Sequence, residues 1–290
     1  MFRVIFWNIY GKGPRSGIAT LVESLVAEHA PDILALAECE ATTAAVVLKR
    51  LNPKGRPPTY DAVPGADRVR MFLRGQAQNA VLRAKSHYEH KRFHIISLNR
   101  GPGPQPLLLV PVHMISLLEK DAIDIDQQLR NLAFEVGAAE RDAAVGHQNT
   151  IVFGDFNAHP FSLGVAQHGG LHAVMSQAVA MGVRRQVVFN KQPMLFNPMW
   201  RFYGNPHPAP VGTYYREGKG DELAYFWNMF DQFMLRSALL HHYKPDSVRI
   251  LTECEKAPPL GKGKLPLLKD GIPDREAASD HLPVMLTLHC

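Results

Sequence analysis

Six short polar signatures stand where apolar runs begin or end. Asn8 follows Phe2–Trp7, Glu38 follows Ile33–Ala37, and His113 follows Leu107–Val112. Asp155 and Asn157 follow Ile151–Phe153, Asp231 sits inside Met229–Leu235, and Asp280–His281 precede Leu282–Leu288. In sheet-based folds, polar groups at strand ends project into a shared crevice, so the pattern points to a site. Together these residue types can do metal-assisted phosphodiester hydrolysis. Glu38 and Asp280 are hard oxygen donors of the kind that Mg²⁺ takes alongside water and substrate phosphate. Asp155 can orient an attacking water. Asn8, Asn157, His113 and His281 can contact phosphate oxygens and the negative charge that develops on them.

Singly, most of these residues have ordinary structural explanations. Asn8 before a Gly-rich turn can cap its own backbone, and Glu38 can be a first-turn helix charge. Asp155-Phe156-Asn157 can be turn chemistry, and His113 a satisfied structural histidine. Asp231 is harder to set aside, because an acid inside an apolar strand needs a partner. The conjunction of six signatures in order is what favours a site.

The elements that must position them follow from periodicity. Phe2–Trp7 is expected as a buried strand, followed by a helix with Ser16 as its N-cap. Its apolar face is Ile18, Leu21, Val22, Leu25 and Val26, and Pro31 ends it. A second strand over Ile33–Ala37 precedes a helix over Ala41–Leu51. Short runs from Tyr60 to Val112 predict several strands, with Pro111 at an edge or bulge because it lacks a ladder donor. A long amphipathic helix is expected over Leu117–Arg141, then strands over Ile151–Phe153, Met229–Leu235, Ser247–Leu251 and Leu282–Leu288. Lys256–Pro273 is expected as a loop.

Composition bounds the rest. Of 290 residues, 46% are hydrophobic and 20% charged, which excludes disordered and fibrous classes. Three cysteines at wide spacing, Cys39, Cys254 and Cys290, argue against a disulfide framework or zinc ribbon and suit a cytoplasmic protein. No apolar run reaches about 18 residues, and no signal sequence is expected at the start. Lys and Arg exceed Asp and Glu by 32 to 27, which permits an anionic substrate without demanding one. A basic-aromatic set (Arg184, Arg185, Lys191, Trp200, Arg201, Tyr214, Tyr215 and Arg216) is of the type that stacks bases and binds phosphates. With no clean linker or internal repeat, the expectation is one domain over residues 1–290.

In order, Trp7-Asn8-Ile9, Ala35-Leu36-Ala37-Glu38, Val112-His113-Met114-Ile115-Ser116, Gly154-Asp155-Phe156-Asn157, Phe230-Asp231-Gln232 and Ser279-Asp280-His281 resemble the endonuclease/exonuclease/phosphatase superfamily. Its members include DNase I-like nucleases, AP endonucleases, deadenylases and phospholipid phosphodiesterases. The resemblance runs from Phe2 to Leu288. It implies a DNase I-like α/β (α+β) fold, a four-layered sandwich of two stacked, mainly antiparallel sheets flanked by helices. By that resemblance Glu38 and Asp280 hold Mg²⁺ or Mn²⁺ with Asn8 close by, and Asp155 activates or positions water. Asn157, His113 and His281 contact the scissile phosphate, and Asp231 pairs with His281. The substrate implied is nucleic acid, DNA or RNA; the alternative is a small-molecule or lipid head-group phosphate. His113 with Ser116 leans toward the nuclease and deadenylase branches, and no Trp-Cys-Asp-Arg signature of inositol phosphatases is present.

Overall fold

The computed structural model describes residues 1–55, 59–63, 68–75, 83–100, 105–116, 121–182, 184–187, 190–203, 210–218, 226–257 and 261–289. In chain order come β1 (Phe2–Asn8), α1 (Ile18–His29), β2 (Ile33–Ala37), α2 (Ala41–Leu51), β3 (Tyr60–Val63) and β4 (Val69–Arg74). Next are β5 (Arg83–His90), β6 (Phe93–Asn99), β7 (Leu107–His113), α3 (Ala122–Arg141) and β8 (Thr150–Asp155). The remaining large-sheet strands are β9 (Ala173–Val174), β10 (Leu195–Phe196), β11 (Asp231–Arg236), β12 (Val248–Ile250) and β13 (Val284–Leu288). One sheet has the order β12-β13-β1-β2-β4-β3 and the other β5-β6-β7-β8-β11-β10-β9.

Side-chain alternation along each strand builds the layers. Val4 and Phe6 of β1 face the second sheet, where they join Leu107, Leu109, Ile151, Phe153 and Phe233. Ile5 and Trp7 face the other way, onto Ile18, Val22 and Leu25 of α1. In the second sheet Leu108, Val110 and Val152 turn outward onto Ile125, Leu129 and Leu132 of α3. Helices, sheet, sheet and helix therefore form four layers, as the family resemblance implies. Phe153 anchors the middle, edge-on to Phe6 at 6.4 Å and stacked on Phe233 at 5.6 Å. A buried ion pair, Glu140 to Arg236 at 2.8 Å, ties the end of α3 to β11, and the Thr150 hydroxyl donates to the same carboxylate at 2.6 Å.

Strand direction decides where chemistry can sit. β1 and β2 run parallel, as do β7 and β8, so each pair delivers its last residues to a common edge. β11 runs antiparallel to β8 with Asp231 opposite Asp155, and β13 antiparallel to β1. Those two strands therefore begin where the others end.

The structure departs from the sequence reading in four places. Ser16 is not the cap of α1: its hydroxyl donates to the Gly13 carbonyl, and Gly17 takes the cap position at φ +80°. Pro111 lies in β7, a central strand. The β6–β7 pairing is interrupted between Phe93↔Val112 and Ile96↔Leu109, so the missing N–H is absorbed by a local gap in the ladder. The long helix begins at Ala122 with Asp121 as its cap, and residues 117–120 of the expected span lie outside the described residues. Lys256–Pro273 is not all loop, since Lys264–Pro266, Leu268–Lys269 and Ile272–Pro273 pair as short strands.

One glycine is sterically required at the site's edge. Gly154 sits at φ +139° in β8, and a Cβ there would lie 2.0 Å from the Val112 carbonyl oxygen. Gly154→Ala must strain the backbone and push β7 from β8, at a cost of about 2–5 kcal/mol. Urea unfolding of the variant should show that loss; an unchanged midpoint would show that β7 and β8 tolerate separation.

Candidate active site

Asp155 is the hub on which the strand ends converge. Its carboxylate is almost fully buried, and Oδ1 accepts the Asn157 backbone N–H at 2.9 Å. Oδ2 accepts the Asn8 side-chain amide at 2.9 Å, while the Nε2 atoms of His113 and His281 each stand 3.8 Å away. Asn157 is held at φ +46°, a left-handed conformation that asparagine tolerates, and its amide donates to the Met114 carbonyl at 3.1 Å.

Glu38 leaves β2 at φ +52°, which turns its side chain into the cleft. Its Oε1 lies 3.2 Å from the Asn8 amide nitrogen and 3.5 Å from His113 Nε2. Asn8 thus holds two carboxylates with one NH₂ group, while its Oδ1 accepts the Tyr10 backbone N–H at 3.0 Å. Asp280 and His281 are pinned from behind. Ser279 Oγ donates to the Asn8 carbonyl at 2.7 Å, and the Trp7 indole donates to the His281 carbonyl at 2.9 Å. Asp280 Oδ1 is buried with no hydrogen-bond partner among the described residues.

The two histidines are driven apart electrically. Burial would lower His281, yet Asp231, Asp155 and Asp280 outweigh it and raise the imidazole to about 10. Its Nδ1 contacts Asp231 Oδ2 at 2.8 Å, and that carboxyl is pushed up to about 6 by burial against the pull of the imidazolium. The pair is therefore an ion pair at neutral pH. For His113 burial dominates and lowers the imidazole despite Asp155 and Glu38, so it stays neutral. Burial also raises Asp280, with Glu38 adding to the effect. Asp155, Asp231 and His281 offer ligand atoms within 4.8 Å of one another, so this buried cluster lies within ligating range of an ion. Within it, His281 Nδ1 is already engaged by Asp231.

These groups line a cleft of about 510 Å³. All eight residues singled out from sequence converge here, with Asp231 and Asn8 behind its wall. Sequence reading missed the rim: Arg68, Arg70, Arg92 and Arg275 join Arg216 and Tyr214 around the acidic floor. Arg70 pairs across the sheet with Leu36, two residues before Glu38, a placement that only register reveals. The basic-aromatic set is divided. The Tyr214 ring packs on His281 at 4.6 Å, whereas Trp200 lines a separate cavity with Arg201 and Tyr243. Arg184, Arg185 and Lys191 belong to a two-stranded sheet of their own.

Comparison with known proteins agrees with this architecture. The sequence model of the Endonuclease/Exonuclease/phosphatase family matches residues 5–215. Among solved structures, D. rerio TDP2 humanized by 14 mutations aligns at 18% identity and TM-score 0.58, covering 98% of this chain and 97% of that one. D. rerio TDP2 complexed with a single-strand DNA product aligns at 20% identity and TM-score 0.56, again covering 98% and 97%. A single-substitution variant of the 3′ phosphatase NExo from Neisseria, bound to a product DNA hairpin, aligns at 15% identity and TM-score 0.53, covering 99% of each chain. No curated protein sequence matches significantly.

Two expectations follow from the electrostatics. In metal-free protein at neutral pH, ¹⁵N spectra of the imidazoles should show His281 protonated on both ring nitrogens and His113 on one. The reverse pattern would mean that burial, not the carboxylates, governs His281. In a double-mutant cycle, Asp231→Asn in a His281→Ala background should cost little beyond His281→Ala alone, because coupled residues are not additive. Fully additive losses in turnover would show that the two do not act as a unit.

Proposed function

The chain belongs to the Endonuclease/Exonuclease/phosphatase family, and from that premise we propose that it is a divalent-metal-dependent phosphodiesterase that cleaves nucleic acid by water attack. The observation that carries this reading is the cleft itself. An acidic floor of Glu38, Asp155 and Asp280 stands beside one neutral and one cationic histidine, inside a ring of five arginines. Acid at the centre suits a cation, and arginine around it suits phosphates on either side.

The residues fit a hard cation. Asp280 Oδ1 is buried without a donor among the described residues, and burial, with the nearby Glu38 carboxylate adding to it, raises the cost of the Asp280 charge. Glu38 and Asp280 would hold Mg²⁺ or Mn²⁺, with Asn8 fixing Glu38 from behind. A bound ion supplies Lewis acidity at the phosphate oxygens. The chain supplies the rest. Asp155, kept in place by Asn8 and the Asn157 backbone, orients the attacking water and takes its proton. His281, held as imidazolium by Asp231, donates to the phosphate where negative charge develops. His113 and Asn157 complete the contacts to the scissile group.

Nucleic acid as substrate draws support from the arginine rim and from the DNA-bound structures of TDP2 and NExo, which share the fold. One observation favours a second reading, hydrolysis of a small-molecule or lipid head-group phosphate. At about 510 Å³ the cleft has the size of a small-molecule site, and Trp200 lies outside it.

A substrate panel with and without EDTA decides between them: single- and double-stranded DNA, abasic DNA, RNA, phosphoinositides and a generic diester. Nucleic acid should be cleaved, EDTA should stop cleavage, and Mg²⁺ or Mn²⁺ should restore it. Turnover of the head group alone selects the second reading, and activity that survives EDTA removes the metal assignment. Glu38→Ala and Asp280→Ala should each weaken metal binding in a folded protein. Asp155→Asn should lower kcat by roughly 10²–10⁴ with little change in substrate affinity.

A further inference from the structure

A second cavity of about 440 Å³ opens on the flank of the catalytic cleft, and the two share Arg92 and Met114 in their walls. Its volume falls in the range of about 300–1,000 Å³ typical of small-molecule sites. It lies between the β5–β6 hairpin and α3. The hairpin wall sets three rings beside Lys91 and Arg92: Tyr88 stacks on the buried Phe93 at 5.5 Å, and the His90 ring lies 4.9 Å from it. From α3 come Gln128, Asn131 and Phe134, at helical spacing that puts them on neighbouring turns of one face. Gln128 Oε1 is buried without a hydrogen-bond partner among the described residues. Phe134 is 67% exposed, so its ring face is open to an occupant of the cavity.

Resting on the phosphodiesterase reading, we propose that this cavity is the subsite for the nucleobase of the nucleotide that carries the scissile phosphate. Arg92 links the two compartments. Its backbone carbonyl accepts the His113 N–H at 2.8 Å, which locks the residue beside the catalytic histidine. A phosphate at Arg92 can therefore touch the cleft while its base enters the flank. A planar base can stack on the aromatic faces and meet the Gln128 and Asn131 amides with its polar edge. Other occupants fit worse. An acyl chain offers the Gln128 and Asn131 amides no polar group, and a glycerol head group offers the rings no planar face.

Isothermal titration of the metal-free protein with adenosine 5′-monophosphate and with ribose 5-phosphate tests the proposal. The two probes share a phosphorylated sugar and differ in the base. The nucleotide should bind at least about tenfold more tightly, the scale of one base stack. Gln128→Met and Phe134→Ala, the latter at an exposed position that the fold does not need, should each cut that ratio by about threefold or more. Equal affinities, no binding of either probe, or a ratio that survives both substitutions overturns the assignment. The comparison requires no turnover. A protein inactive on every diester would thus refute the catalytic reading without affecting the binding result.

Discussion

A carboxylate buried where two sheets meet is the constraint around which this molecule is organised. Asp155 is almost fully removed from solvent, and an ionised group there is stable only when every lone pair faces a donor or cation. The fold answers with two donors from separate places, the Asn8 amide from the other sheet and the Asn157 N–H from its own turn, and with the His281 imidazolium 3.8 Å away. Each of those groups is itself fixed from behind. Removing any one would leave a buried charge partly unpaired, so stability and site geometry rest on the same contacts.

The sheets meet those demands through strand direction. Two parallel pairs bring their C-terminal ends to one edge, and two antiparallel neighbours begin there. Close approach of β7 and β8 needs a residue without a Cβ at position 154. Away from this edge the molecule is held by ordinary means: an apolar inter-sheet core around Phe153 and the buried Glu140–Arg236 pair at the opposite end of β8 and β11. Among the described residues no helix is long and apolar enough to cross a membrane.

Electrostatically the cleft is built in shells of opposite sign. The floor is acidic, the rim is arginine, and between them the histidines differ because their neighbours differ. His281 has Asp231 at hydrogen-bond distance and becomes a cation, while His113, with its nearest carboxylate oxygens at 3.5 Å or more, is governed by burial and remains neutral. Such divergent environments let one site hold both a charged donor and a neutral ring at the same pH.

How much of this was legible in sequence depends on the range of the interaction involved. Alternation with period two and helical spacing are local, so Ile33–Ala37 and Ala41–Leu51 are legible residue by residue, and the strand ends that carry Asn8, Glu38, His113 and Asp155 with them. Ser16 misleads because the chain turns once more before the helix begins: the Ser16 hydroxyl donates to the Gly13 carbonyl within that turn, and the cap position falls on Gly17. Pro111 misleads because the ladder can tolerate a gap where flanking strands hold the register. Residue types and order thus announce the family and the residues that gather in the cleft. Only the tertiary structure decides that Asn8 spans two carboxylates, that Arg68, Arg70, Arg92 and Arg275 ring the cleft while Trp200 does not, and that one histidine is charged. Those outcomes depend on distances between segments remote in the chain, and Coulomb and desolvation energies are functions of such distances, not of sequence spacing.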